Sequence, residues 1–458
     1  MRRAAYGTGG LLLLAASWPG WAAELPPAGS PPEAPRPETR GSHLFNPAGD
    51  SLQRGNGELG RLLGLPADSA LTLGGEWIGN GTSQIVGGWA DAYKRNSLGQ
   101  AAILDLRLNL ERAGLWPGGQ LWVQGLQYNV SNNGNNAAGS VQQINNLISV
   151  SPFNRTELYT YGITQKLFND QVTVSLGKLF AGYYFSTIAR PIPDTNPAIV
   201  GGPNTNLLFL PPYSQPTFVG REPGYPDSTL GGVITLQPEA LAKRFYLTLG
   251  VFDGRAGVGP GSVATGLQAG GNLLGPLLTM AEAGAVWTAG AKQLPGLLAG
   301  GLWSQSGKLT TGCQPSTQQP CAVESRATGT YAYAVQTLAA FRPQQNPGKV
   351  VSFVQGGYTP SKTNMMTTSL STGVEVVAPF AERPRDSYGL GLSWAKLNNA
   401  PAAYTSFNAN EVMVQLYGRL HLGGSVYAQP VVSWLPVVGF NAAQAPSTSV
   451  SLQLSTQF

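Results

Sequence analysis

Four side chains able to exchange hydrogen bonds stand two residues apart in "AILDLRLNLER": Asp105, Arg107, Asn109 and Glu111. A second series, Gln415, Tyr417, Arg419 and His421, runs through "EVMVQLYGRLHL" with Glu411 ahead of it. Together they supply planar amide, guanidinium and carboxylate groups that donate and accept in fixed directions. Such groups suit the wall of a wet passage, which must hold a polar solute briefly and let it go. They do not suit catalysis. Nucleophilic hydrolysis wants a serine, a histidine and an orienting group, and the chain has two histidines, His43 and His421. No His, Cys, Asp and Glu residues cluster with metal-ligand spacing, so no metal or cofactor is expected. "GTGG" at 7–10 lies in a leader and is not a phosphate loop.

The elements that must carry these residues are strands. Leu104, Leu106, Leu108 and Leu110 alternate with the polar series, which is the period of a β-strand with unlike surroundings on its two faces. Val412, Val414, Leu416, Leu420 and Leu422 do the same in the second stretch, as do Val450, Leu452, Leu454 and Phe458 in "SVSLQLSTQF". A sandwich core with water outside, or lipid outside with water inside, satisfies this alternation equally well.

Composition narrows the choice and leaves both an outer-membrane barrel and a large extracellular β-protein open. The chain opens Met-Arg-Arg, runs through apolar Leu11–Ala16 and reaches small residues near Ala22 and Ala23, the layout of a secretory leader over 1–23. Removing Arg2 and Arg3 with it leaves +3 of the formal net charge of +5, and the basic residues form no run, so nucleic acid is not an expected partner. No run of about 18 apolar residues follows, which excludes a helical span. Charged residues are 11% of the chain, far below the roughly 25% usual for soluble domains. Residues 24–55 are Pro-rich and read as a periplasmic tail; 56–458 read as one barrel domain with a short helix near Glu58–Leu65.

From Ala70 onward about 16 strand-like segments can be read, an even number. Their connections alternate: short at 113–117, 168–170, 238–241, 293–295, 381–385 and Gly423; long at 81–99, 131–154, 185–227, 254–279, 308–325 and 398–409. Short turns on one side and long loops on the other describe an antiparallel transmembrane β-barrel. Parity then sends the leucines to lipid and the polar series to the lumen. Trp77, Tyr128, Tyr159, Trp394, Tyr404 and Trp434, near strand ends, are candidates for interfacial girdles.

Several stretches resemble the carbohydrate-selective porin family, the OprB-like proteins. "RLLGLPADSALTLGGEWIGN" is similar to the family's short helix and first strand. "LDLRLNLERAGLWPGGQLWVQG" resembles its second hairpin, with Trp116, Gly118 and Gly119 matching a Trp-Gly-Gly turn in which Pro117 is inserted. "SPFNRTELYTYGITQKLFNDQVTVSLGKLFAG", "YGLGLSW" and "EVMVQLYGRLHLGGSVYAQPVVSWL" resemble later hairpins. The resemblance covers most of 60–458. It implies a 16-stranded outer-membrane porin passing sugars or small polyols by diffusion through an eyelet narrowed by inward loops and charged residues. Homotrimers, and a terminal Phe458 read by the outer-membrane assembly machinery, are further implications. The Pro-rich leader, the cysteine loop and the 185–227 loop depart from the family.

On that reading Asp105, Arg107, Asn109, Glu111, Gln415, Tyr417 and Arg419 line the pore. Arg107 leads, with Asp105 and Glu111 placed to hold it extended. Loop 185–227 either folds inward, presenting Arg190, Asp194 or Arg221, or caps the mouth. Cys313 and Cys321 are expected to close a small disulfide loop, two free thiols being the alternative. A general or organic-acid porin and a plugged structural barrel are the competing functions.

Overall fold

The computed structural model describes residues 57–458 apart from positions 67 and 243 and the stretches 89–94, 132–136, 145–146, 148–153, 187–216, 218–220, 222–227, 258–272, 311–321, 343–347 and 400–406. The expected leader and Pro-rich tail, Arg190, Asp194, Tyr404 and the Cys313 and Cys321 loop lie outside the described residues.

A short helix, α1 (Glu58–Leu62), precedes β1 (Leu71–Val86), β2 (Asn96–Asn109), β3 (Gly119–Val130), β4 (Asn154–Leu167), β5 (Val172–Leu179), β6 (Thr229–Leu236), β7 (Phe245–Asp253) and β8 (Leu277–Ala289). The second half continues as β9 (Leu294–Thr310), β10 (Val323–Phe341), β11 (Gly348–Tyr358), β12 (Met366–Val377), β13 (Ser387–Leu397), β14 (Asn410–Gly423), β15 (Val426–Val437) and β16 (Ser447–Gln457). Each strand pairs antiparallel with its sequence neighbours, and β1 pairs with β16 to close the sheet into a 16-stranded barrel.

The faces of the wall invert the rule of a soluble core. Leu104, Leu298, Leu416 and Leu452 are about half exposed, whereas Asp105, Ser393 and Gln415 are fully buried. Polar side chains inside and leucines outside make sense only when the outer solvent is hydrocarbon. Closure also leaves no strand edge along the wall, which a bilayer requires because it offers backbone groups no water.

Turn chemistry sets the short end. β14 and β15 are joined through Gly423 and Gly424, both at positive φ. In the β2–β3 turn Gly118 has φ 70°, and a Cβ there would stand 2.5 Å from the Lys166 carbonyl oxygen, so the second residue of "PGG" must be glycine. The opposite end carries the long connections, of which 180–228 is the longest.

Three expectations are corrected. β2 stops at Asn109, so Leu110 is buried beneath the turn beside Gly119 instead of facing lipid, and Glu111 belongs to the turn. Tyr128 and Tyr159 are fully buried on the inner face and form no part of an interfacial girdle, whereas Trp434 is half exposed, as a girdle residue should be. Strand bounds move as well: β5 ends at Leu179, short of the connection expected at 185–227, after which the chain leaves the wall, and β12 begins at Met366, ahead of an alternation that the sequence shows only from 372.

Candidate functional site: the barrel lumen

Three sectors of the inner wall differ in chemistry. The first spans β2–β4. Asp105 and Arg107 point inward from β2 and pair at 2.7 Å, with Asp105 buried and 18% of the Arg107 side chain accessible. Gln124 on β3 donates to Asp105 Oδ1 at 3.1 Å and accepts from Thr160 Oγ1 on β4 at 2.6 Å. The carboxylate is thus fixed before it fixes the guanidinium. Trp122 sits opposite Arg107 in the β2–β3 register. Asn109 and Glu111 do other work: Asn109 accepts the Arg112 backbone N–H at 2.9 Å, and Glu111 accepts that of Gly118 at 3.2 Å. Both pin the hairpin turn, so Asp105 alone of the two expected carboxylates holds Arg107.

The second sector, β14–β16 with β1, is rich in hydroxyls and amides. The inner face of β16 reads Ser447, Ser449, Ser451, Gln453, Ser455 and Gln457, all buried and all uncharged. Thr82 meets Ser451 at 2.8 Å, and Gln84 donates to Ser447 Oγ at 2.8 Å. Gln429 donates to Ser455 Oγ at 3.1 Å, and Gln415 to Ser433 Oγ at 2.8 Å. Toward the short-turn end, Arg419 is fully buried and stacks 3.8 Å over the Tyr427 ring, within electrostatic reach of Glu76 and Glu375. Tyr417 lies flat against Gly389, which has no Cβ to obstruct it. His421 sits at the rim, its backbone N–H donating to Asp386 at 2.8 Å.

The third sector, β7–β11, is aromatic: Tyr246, Phe252, Trp303, Tyr331, Tyr333 and Phe353 all turn inward. Gly284 and Gly301 leave space for the Tyr246 and Tyr331 rings to lie against the wall. Between these rings stands Glu282. Its Oε1 accepts from Tyr246 and Tyr333 hydroxyls at 2.8 and 3.0 Å, and its Oε2 from Tyr331 at 2.8 Å and the Ser186 backbone N–H at 2.6 Å.

Ser186 belongs to the β5–β6 connection, so residues 180–186 run inward from β5 toward β8. Phe185 packs edge-on to Phe252 at 6.1 Å between ring centroids. Farther along, Arg221 is buried; its guanidinium donates to Asn364 Oδ1 at 3.1 Å and Thr363 Oγ1 at 2.5 Å in the β11–β12 loop. Arg221 therefore clamps loop to loop instead of facing solute. The β3–β4 connection also enters the barrel. Its residues 137–144 lie against β14, where Glu411 accepts from Ser140 Oγ, Val141 N and Gln142 N at 2.8, 2.6 and 3.1 Å.

Alternation places Glu282 and Glu411 inside the barrel, but nothing in their own strands marks them as loop anchors. The partners come from connections far away in sequence. "FAGYYFS" gave a partial signal: its unbroken run of aromatic and small residues fits neither a lipid-facing nor a lumen-facing pattern.

Residues 97–458 match the model of the carbohydrate-selective porin family, OprB. Among solved structures, the high-pH form of Pseudomonas putida OprB superposes with a TM-score of 0.70 at 17% identity, over 88% of this chain and 96% of that one. The low-pH form of the same protein gives a TM-score of 0.50 at 14% identity over the same shares. No curated protein sequence matches the chain. The family match spans far more than half of the sequence, and the chain belongs to the carbohydrate-selective porins of the bacterial outer membrane.

Proposed function

We propose that the solute slides between the amide-and-hydroxyl sector of β14–β16 and β1 and the aromatic sector of β7–β11, with Arg107 contributing a charged donor from the side. The observation carrying this reading is the uncharged inner face of β16. Serine hydroxyls and glutamine amides donate and accept alike, which matches the many hydroxyls of a sugar or polyol. Aromatic faces opposite them suit the C–H faces of a pyranose. Two pairs of opposite charges on the wall, Asp105 with Arg107 and Arg155 with Glu157, cancel part of the field an organic-acid channel would need.

Single-channel recording in a planar bilayer with glucose titrated in tests this. Saturable block supports a sugar site; steady conductance indifferent to glucose would move the assignment to a general porin. Arg107→Ala should weaken the block severalfold while leaving the open channel intact. In the same reading residues 1–23 are cleaved, barrels associate as trimers and Phe458 engages the assembly machinery. N-terminal sequencing, cross-linking of the purified protein and an in-vivo assembly assay of Phe458→Ala check each in turn.

A further inference from the structure

The two inward connections are each held by one carboxylate from a distant part of the wall. We infer that Glu282 and Glu411 are positioning residues that set the aperture, each latching one inward segment across the lumen. Residues 180–186 come from β5 and are held on β8; residues 137–144 come from the β3–β4 connection and are held on β14. Each latch takes a backbone N–H, which no side-chain substitution in the loop can supply or remove except proline.

Two further observations support an active hold. Each segment carries a non-glycine residue in the left-handed region, Ser186 at φ 53° and Gln143 at φ 75°. Such backbone persists only where surrounding contacts over-determine it. Secondary contacts are also built around each latch. Gln142 donates to the Glu411 carbonyl oxygen at 3.4 Å and accepts from Ser393, while Gln415 donates to the Ile144 carbonyl oxygen at 3.3 Å. Gly250 leaves room for the Phe185 ring on the other side of the barrel.

The donor sets differ, and the difference gives a test. At Glu282, Oε1 faces the Tyr246 and Tyr333 hydroxyls, which can turn and accept, while Oε2 faces the Ser186 N–H and the Tyr331 hydroxyl. A glutamine amide fits there, with its carbonyl toward Ser186 and its NH2 toward Tyr246 and Tyr333. At Glu411 both oxygens face backbone N–H groups, of Gln142 and Val141, which cannot accept. A glutamine must set its NH2 against one of them, leaving buried donors unpaired.

The experiment records conductance of the full-length protein and four variants in planar bilayers, with liposome swelling in sugars of rising size alongside. It rests on the channel reading above. Glu282→Ala, Glu411→Ala and Glu411→Gln should each raise conductance about twofold and admit larger sugars, whereas Glu282→Gln should keep wild-type values. Should the wall variants fail to assemble, Gln142→Gly combined with Ile144→Gly loosens one segment without touching the wall and should enlarge the pore likewise. Well-folded variants with unchanged conductance and size limit overturn the latches alone. Equal opening by both glutamine variants would also overturn them, since general destabilisation would not follow the donor pattern. A wild-type protein that forms no channels overturns the channel reading and the latches with it.

Discussion

Arg107 shows how far one side chain can be read. Parity in "LDLRLN" turned Asp105 and Arg107 inward and Leu104 outward, and the structure places all three so. An ion pair at 2.7 Å joins Arg107 to Asp105, while Glu111 lies in the turn because parity carries information only while the chain stays in the sheet. Tyr128 and Tyr159 were misjudged for a related reason: an aromatic near a strand end suits either face, and composition does not say which. Two substitutions separate wall from lumen at adjacent positions. Leu106→Arg puts a cation on the lipid face at about 2–4 kcal/mol near the midplane, so the heat-resistant folded band on a gel should diminish. Arg107→Ala should assemble normally and change only permeation.

At the scale of the element, strand number and the alternation of connection lengths were legible, because both rest on local composition. The start of β12 was not: "MTTSLSTG" is so rich in Ser and Thr that its outward residues, Leu370 among them, were outweighed. The inward segments were equally hard to see, since their hydrogen bonds join residues more than 90 positions apart. The β2–β3 turn is tightly constrained in sequence. Gly118→Ala would force a side chain into the left-handed region, at an order of 1–3 kcal/mol, and against the Lys166 carbonyl. We expect slower refolding into detergent micelles and a lower melting temperature, with unchanged conductance in molecules that do fold.

For the molecule as a whole, low charge is the governing property. Charged residues are 11% of the sequence, and several of those inside the barrel stand in opposite-sign pairs. The lumen should therefore discriminate weakly between ions. A reversal potential measured across a KCl gradient should fall well short of the Nernst limit for either ion, and a value near that limit would contradict the paired arrangement. Fold class was readable from the sequence because alternation and connection lengths are properties of the entire chain, whereas broad function came from the resemblance of several hairpins to carbohydrate-selective porins. The aperture was not readable, because it depends on which distant carboxylate meets which loop.

The seam has a consequence in time. Every other neighbouring pair of strands is consecutive in sequence, but Glu76 on β1 meets Gln457 on β16 across nearly the full chain. Hairpins can zip one after another as the polypeptide is supplied, while this last zipper must wait for both ends. Until it closes, β1 and β16 present unpaired N–H and C=O groups, the template on which stray strands add. Contact order thus predicts that the slow step in making this protein, and its moment of greatest exposure to aggregation, is the meeting of β1 and β16.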